Sequence, residues 1–334
     1  MADWDSYTPG LHRVGDGAYA WMQPDGAWGL NNVGLIASKS ESLLIDTPID
    51  LPRTRRMLSE MAAADPAAGK IGTVLITHWH LDHTWGACLL KGSRIIASRI
   101  CASHMEKNPP QRWLEAAAAL VGEARLMMEE NLGDKFDFAG VEYIAPTETV
   151  EKRLELTVGE RKVIVVEAKP CHTRSDSVVH IPDLSVAHMG DLVSSVGNHV
   201  GLQYPFMGNL IDICEVLVSF QAGVYIPGHG PLQSLQDVKG FIEYLRFIQA
   251  AARACHDRGL SAEDAAYDVM ANLGAYKSLR HPERLFFTVR MIYRELDGDT
   301  EDFVRRSSQE FHATSWRLRS VLPQKFPELY QLRF

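Results

Sequence analysis

The 334-residue sequence contains little cysteine and no long basic or apolar run. Its five cysteines are odd in number and show no C-x-x-C spacing, which argues against a disulfide framework. The net charge of −8, without a Lys/Arg run, argues against a nucleic-acid partner. No stretch reaches the roughly 18 apolar residues of a membrane span. The amino terminus also carries no basic and apolar leader, so we expect a cytoplasmic protein that does not act at a membrane.

The chain does have enough apolar residues, 46%, for a substantial core. Residues 11–76 and 145–230 alternate strand-like apolar runs with turns, whereas residues 84–135 are mostly helical in pattern. From about residue 235 only helical spacing is seen. These helices are predicted at 238–256, 261–272, 282–296 and 300–318. The pattern predicts a mixed α/β part over 1–235, with a helical insertion at about 103–135, and a helical extension over 236–334.

One heptapeptide is more informative than the rest of the chain. Residues 77–83 read Thr-His-Trp-His-Leu-Asp-His and follow an apolar run at 73–76 that predicts a buried strand. Four of its side chains can bind a metal: His78, His80, Asp82 and His83. Residues two apart in an extended chain point the same way, so His78 and His80 can share one metal. A turn into a helix would carry Asp82 and His83 to a second point.

Three later apolar runs are also followed by candidate ligands, which are His172, Asp191 and His229. Side chains that follow separate strands can converge at one edge of a sheet. A single His-x-His pair is more often an ordinary surface or core feature. Four metal-binding side chains clustered after a strand serve no packing purpose, so the sequence predicts a metal site. Imidazole and carboxylate together suit zinc, iron or manganese rather than calcium or magnesium.

The order and spacing of these residues resemble the metallo-β-lactamase fold superfamily of αββα metallohydrolases. The likeness runs from Asp46 to His229 and covers about the first 235 residues. The resemblance implies an α/β (α+β) fold, a four-layer αββα sandwich, to which this chain adds a C-terminal helical region. It also implies that residues 1–235 are the catalytic domain. The helical extension is then either a lid or dimerisation module, which would allow a homodimer, or padding that enlarges the core.

The resemblance further implies two metal ions per chain, expected to be zinc, with iron or manganese as alternatives. By this likeness the first metal is bound by His78, His80 and His172, and the second by Asp82, His83 and His229. Asp191 would bridge the two, opposite a shared hydroxide. Asp46 would not be a ligand but would orient the histidine loop, and an ordinary turn residue is the alternative reading.

Three choices within the pattern separate branches of the superfamily. Asp191 supplies a bridging carboxylate that the true β-lactamases usually lack. His80 stands where the flavodiiron redox branch has Glu, which favours zinc hydrolysis. The short interval from Asp191 to His229 leaves no room for the extra domain of the nucleic-acid-processing branch. Residues 21–32 and 172–176 are weakly similar to polyketide thioesterase/cyclase proteins and to zinc enzymes of aromatic degradation.

The resemblance therefore implies a dinuclear hydrolase whose hydroxide attacks an ester, thioester or lactone carbonyl. A polyketide-type cyclase, a hydrolytic dehalogenase of an activated aromatic and a non-catalytic metal-binding protein are the alternatives. A complete ligand set argues against the last of these. Asp82 is a candidate proton carrier to the leaving group.

Three segments are expected to wall the pocket and to favour a hydrophobic or aromatic small molecule. The first is a Trp-containing hairpin at 21–32, and the second is the helical stretch 103–135. The third is the loop 194–209, which contains His199 and Tyr204. His199 is a candidate proton carrier or substrate contact, with a surface-loop histidine as the alternative. Tyr204 is a candidate oxyanion donor, with a packing role as the alternative.

Overall fold

The fold is built on two β-sheets that pack face to face. The structure is a computed structural model and describes residues 7–24, 26–193, 197–300 and 308–330. Seven strands form the first sheet in sequence order, antiparallel as far as β4 and parallel from there. They are β1 Gly10–Gly15, β2 Ala18–Met22, β3 Val33–Ser38, β4 Glu41–Ile45, β5 Thr73–Leu75, β6 Arg94–Ser98 and β7 Glu148–Val150.

Five strands form the second sheet, in the order β12-β11-β10-β9-β8. They are β8 Arg153–Val158, β9 Arg161–Glu167, β10 Ser177–Ile181, β11 Val186–His188 and β12 Val224–Ile226. Their pairing is antiparallel except between β11 and β12, which run parallel. The parallel pair places the ends of β11 and β12 side by side, and this is where the second half of the candidate site begins.

The period of two along each strand explains how both faces of the first sheet are covered. In β4, Leu43 and Ile45 point toward the second sheet and contribute to the core between the sheets. Leu44 points the other way and packs with Met57 and Met61 of helix α1. The outer face of the second sheet is covered in the same way, because Tyr225 shares a cluster with residues of several later helices. The predicted αββα sandwich is therefore confirmed.

Ten α-helices lie within the described ranges, and none has the length and apolar character that crossing a bilayer requires. They are α1 Leu51–Ala64, α2 Leu81–Thr84, α3 Arg99–Lys107, α4 Pro110–Ala118, α5 Gly122–Asn131, α6 Met207–Ser219, α7 Leu235–Asp257, α8 Ala262–Ala271, α9 Arg284–Leu296 and α10 Ser308–Lys325. The helical insertion predicted at about 103–135 is interrupted before Gly122, whose φ of +56° suits glycine.

The C-terminal helices join two distant parts of the sandwich. Helices α7, α8 and α9 share a core with α6 over the second sheet. Helix α10 adds Phe311, Leu318 and Leu322 to this core. It also lies against α5, where Gln309 donates a hydrogen bond to the carbonyl of Val121 and Arg319 pairs with Glu130. Of the helix predicted at 300–318, residues 301–307 lie outside the described residues. The helical insertion and the C-terminal helices therefore pack against each other.

Candidate metal centre

The candidate ligands reach one edge of the sandwich from four separate segments. His78 and His80 lie in the short stretch between β5 and α2, while Asp82 and His83 form part of α2 itself. His172 lies in the loop between β9 and β10. The other two, Asp191 and His229, follow β11 and β12, whose ends are adjacent because these strands run parallel. Short strands ending at the same edge thus bring all seven side chains together.

The first cluster contains three histidines and one carboxylate. The ligand atoms of His78, His80, His172 and Asp191 all lie within 4.8 Å of one another. The Nδ1 atom of His80 is 3.1 Å from Nε2 of His78 and 3.1 Å from Nε2 of His172. The Oδ2 atom of Asp191 is 3.4 Å from Nε2 of His172. Three imidazole nitrogens pointing at one position are the donor set that zinc takes in proteins.

The second cluster contains Asp82, His83 and His229, whose ligand atoms also lie within 4.8 Å of one another. Nε2 of His229 is 3.3 Å from Oδ2 of Asp82 and 3.4 Å from Oδ2 of Asp191. Nε2 of His83 is 3.3 Å from Oδ1 of Asp191. The carboxylate of Asp191 therefore contacts both clusters and lies between them.

The outer nitrogens of His78 and His229 are held, which fixes the direction of their inner nitrogens. Nδ1 of His78 is 3.0 Å from Oγ1 of Thr77, and Nδ1 of His229 is 3.1 Å from the carbonyl oxygen of Leu30. Nε2 of His83 is buried and forms no hydrogen bond within the described part of the chain. Metal-binding histidines are oriented by such outer hydrogen bonds, so the residues present fit metal ions.

Asp46 lies beneath the histidine loop and bonds to it at three points. Its Oδ1 accepts a 2.7 Å hydrogen bond from the backbone N–H of Thr77, and its Oδ2 accepts one of 2.7 Å from the Thr77 hydroxyl. Nδ1 of His83 is 2.9 Å from the same Oδ2. The carboxylate is fully buried, and the residue has a φ of +66°, which Asp adopts more readily than most residues. This geometry places Asp46 where it can orient the loop without joining the ligand atoms.

The two clusters differ in their electrostatics. Burial opposes charge throughout, and together with His172 it lowers the pKa of His80 to about 3. At His229 the carboxylates of Asp191 and Asp82 overcome burial and raise the pKa to about 10. Burial alone would raise the pKa of Asp191, but His229 and His83 hold it well below its ordinary value. In the second cluster the carboxylates are therefore paired with protonated histidine, and bound metal cations would displace the proton.

A cavity of about 470 Å³ opens onto the cluster, and His80, Asp82, His172, Asp191 and His229 form one end of it. Its walls are rich in aromatic rings: Trp28, Trp79, Trp85, Trp113, Phe287 and Phe311. Trp113 comes from α4, as the sequence led us to expect of the helical insertion. Of the two tryptophans in the predicted hairpin, Trp28 lines the cavity, together with Gly26 and Gly29, and Asp25 lies outside the described residues. Trp21 is instead buried in the core, where its indole N–H donates to Glu60.

The structure does not bring His199 or Tyr204 to the cavity, although their neighbours Val200 and Leu202 line it. His199 is fully buried, with Nδ1 3.0 Å from the hydroxyl of Tyr244, and burial lowers its pKa to about 3. Tyr204 is buried against the ring of Phe206. Tyr204 fits its packing alternative, whereas His199 is buried and so is not the surface-loop histidine of its own alternative. We assign neither residue a catalytic role. Residues 194–196 of this loop lie outside the described residues.

Several polar residues of the cavity wall were not predicted from the sequence. Arg284 comes from α9, and His312 and Arg319 come from α10. Polar residues on an amphipathic helix ordinarily indicate its solvent face. The polar face of α10 points inward because this helix packs onto α5. The contact joins Gln309 to Val121, which lie 188 positions apart in the sequence.

Comparison with known proteins agrees with this geometry. The atrochrysone carboxyl ACP thioesterase of Aspergillus fumigatus is 37% identical over 82 residues, which is 25% of this chain and 24% of that protein. The acyl-coenzyme A thioesterase MBLAC2 of Bos taurus is 23% identical over 229 residues, covering 65% of this chain and 79% of that protein. The chain thus spans about a quarter of the first relative's length.

Solved structures share the fold. The sec-alkylsulfatase Pisa1 from Pseudomonas sp. superposes with a TM-score of 0.63 at 17% identity, over 90% of this chain and 52% of that chain. A metallo-beta-lactamase from Pontibacter korlensis superposes with a TM-score of 0.52 at 15% identity, over 72% of this chain and 99% of its own. Residues 26–229 match the family model of the metallo-beta-lactamase superfamily, well over half of the chain. Together with the relatives, this match supports a metal-dependent hydrolase. The chain belongs to the metallo-beta-lactamase superfamily.

Proposed function

We propose that the protein is a dinuclear zinc hydrolase that cleaves acyl thioesters. The observation that carries the proposal is the position of Asp191, whose two carboxylate oxygens each lie 3.3–3.4 Å from nitrogen atoms of the second cluster while Oδ2 also contacts His172 of the first. A carboxylate shared between two ligand clusters suits a pair of metal ions. The thioester assignment draws support from the two thioesterase relatives.

His78, His80 and His172 would hold one metal ion and Asp82, His83 and His229 the other, with Asp191 between them. Bound metal ions would supply a hydroxide nucleophile near neutral pH and polarise the carbonyl to be attacked. The protein's own part is to fix the ligand geometry through Asp46 and Thr77, and to hold the acyl group between aromatic walls. These walls exclude water from the reacting carbonyl, which strengthens the electrostatic interactions around it.

Asp82 would manage the proton of the leaving group. It lines the cavity, accepts a 3.2 Å hydrogen bond from the backbone N–H of Gly29, and lies 3.3 Å from His229. The rest of the surroundings is largely aromatic, and a thiolate, with a pKa of about 8.5, can leave without full protonation. An amide would need a stronger proton donor at this point. The arrangement therefore favours thioesters over amides.

The test compares turnover with metal content on the same preparations. An acyl thioester, an aryl ester, an acyl lactone, a primary alkyl sulfate and a chlorinated aromatic nitrile are offered to metal-loaded and chelator-stripped protein. We expect chelator-sensitive turnover of the thioester with about two zinc ions per chain. Turnover of another substrate instead would reassign the bond type. Two bound metals with no hydrolysis would favour the cyclase alternative, and an absence of bound metal would overturn the proposal.

A further inference from the structure

The end of the cavity formed by the C-terminal helices contains a second polar group of residues, separate from the metal ligands. His312, Ser315 and Arg319 follow one another at helical spacing on the face of α10 that lines the cavity. Arg284, at the start of α9, lines it as well. These residues lie beyond the part of the chain that matches the family model, which ends at residue 229.

Arg284 differs from the arginines around it in having no hydrogen-bond or ion-pair partner among the residues that the structure describes. Its aliphatic stem packs against Gly201, where an added Cβ would be 3.4 Å from Cδ of the arginine. Within the described ranges its guanidinium makes no hydrogen bond and no salt bridge. By contrast, Arg280 donates to Asn198 and Arg319 donates to Glu130. A guanidinium offers five donors, and leaving them unsatisfied in a partly enclosed site is unfavourable.

The nearest carboxylate, Glu283, is already engaged elsewhere. Its Oε1 is 3.1 Å from Nδ1 of His281 and 3.8 Å from Nε of Arg319, and its Oε2 accepts a hydrogen bond from Tyr330. Burial would raise its pKa, but His281 lowers it to about 2, so the group is ionised at neutral pH. Burial also lowers the pKa of Arg284 from its ordinary value. An anion placed against Arg284 would offset that cost.

His312 supplies an independent sign that a polar ligand belongs here. The side chain is 9% exposed, its ring lies edge-on to Trp28 at 5.8 Å, and its Nδ1 is buried without a hydrogen-bond partner within the described residues. Burial lowers its pKa to about 4, so the ring is neutral at pH 7. A buried imidazole nitrogen in a cavity wall is otherwise costly, and a bound polar group would satisfy it.

We propose that Arg284 binds a carboxylate on the acyl part of the substrate, with His312 as a hydrogen-bonding neighbour. This inference rests on the proposed hydrolase function. It predicts that the preferred substrate carries an acid group at one end and the bond to be cleaved at the other. A singly charged carboxylate fits better than a phosphate, because the ionised Glu283 beside Arg284 would repel a doubly charged group.

The first experiment measures binding and does not require turnover. Linear α,ω-dicarboxylates and monocarboxylates of equal length are titrated into metal-loaded protein by calorimetry, since one carboxylate of either probe can bind the metals. We expect a dicarboxylate of suitable length to bind about tenfold more tightly than its monocarboxylate. Arg284→Met should remove this preference and Arg284→Lys should keep part of it. Arg290→Met, a change on the same helix outside the cavity lining, should leave it intact.

The second experiment measures kcat/KM for an acyl thioester with a terminal carboxylate and for its methyl-terminated counterpart. Arg284→Met should lower the ratio of the two values about tenfold, mainly through KM of the acidic substrate. An equal loss on both substrates, or no loss on either, would overturn the proposal. The proposal would also be rejected if Arg284→Met weakened the binding of free coenzyme A and the unmodified protein showed no preference for dicarboxylates. Arg284 would then be assigned to a phosphate. A dicarboxylate preference without any hydrolysis would uphold Arg284 and reject the hydrolase.

Discussion

The two ends of the cavity are built in opposite ways. At the metal end the polar atoms are tied down, as with Asp46, which bonds to both Thr77 and His83. At the helical end Arg284 and Nδ1 of His312 have no hydrogen-bond partner among the described residues. Fixed ligands suit a cation that must be held in one geometry, whereas unsatisfied donors suit a group that arrives with the substrate. The comparison suggests that one end supplies the chemistry and the other the selectivity.

Removing a metal ligand should cause the largest loss of activity and of bound metal. His229→Ala takes away a nitrogen that lies 3.3 Å from Asp82 and 3.4 Å from Asp191. We expect kcat/KM to fall by roughly 10³-fold or more and the metal content to fall from about two ions to about one. Metal analysis and thioester kinetics on the same sample would measure both. His256→Ala, a histidine paired with Asp297, serves as the control. Unchanged activity in His229→Ala would contradict the two-metal assignment.

A smaller loss is expected from a substitution that disturbs the orientation of a metal ligand without removing it. Asp46→Asn keeps the shape of the side chain but replaces the carboxylate oxygen that faces Nδ1 of His83, 2.9 Å away. We expect a loss of about 10- to 100-fold in metal affinity or activity, the usual effect of altering an outer partner of a ligand. Competition with a chelator of known affinity would measure it, and Asp16→Asn on the exposed surface is the matched control. Metal affinity equal to that of the control would mean that Asp46 does not orient His83.

The metal end was predictable from the sequence for a physical reason. His78 to His83 lie so close in the chain that the extended segment and the turn after β5 fix their directions. His172, Asp191 and His229 could be recognised because each follows an apolar run. Asp46 required the resemblance to a known family, since nothing in its own surroundings distinguishes it from a turn residue. Its role depends on the positive φ and on contacts with residues some thirty positions away.

The helical end could not be predicted in the same way. The sequence around Arg284 shows helical spacing, and spacing alone does not say which neighbour covers the polar face. That face is turned inward by the pairing of Gln309 with Val121 and of Arg319 with Glu130, contacts that no local pattern encodes. Loop residues 194–209 presented the same difficulty. The sequence drew attention to His199 and Tyr204, whereas their neighbours line the cavity.

Removing a ring from the aromatic wall between the two ends should lower kcat/KM by an intermediate amount that depends on the acyl group of the substrate. Trp113 of α4 is half-buried, and its ring meets that of Trp85 edge-on at 5.5 Å. Trp113→Ala should lower kcat/KM for bulky aromatic acyl thioesters about tenfold, because a large apolar contact is lost, and should affect acetyl thioesters much less. Kinetics on a series of acyl groups would show this, with Gln111→Ala on the same helix as the control. An equal loss for every acyl group would point instead to a disturbed metal end.

The smallest effect on activity is expected at His199, and it would sharpen the boundary of the functional region. Its Nδ1 lies 3.0 Å from the Tyr244 hydroxyl, which also accepts a hydrogen bond from the backbone N–H of Val200. His199→Ala should therefore lower the free energy of unfolding by about 1–3 kcal/mol through the lost contact and the buried space left behind. Metal content should be unchanged and kcat/KM should stay within about twofold. Denaturant unfolding, metal analysis and kinetics on one preparation would separate these quantities. A large fall in kcat with normal stability would restore His199 as a proton carrier, and a loss of metal would show that the ligand set extends beyond the seven residues at the strand ends.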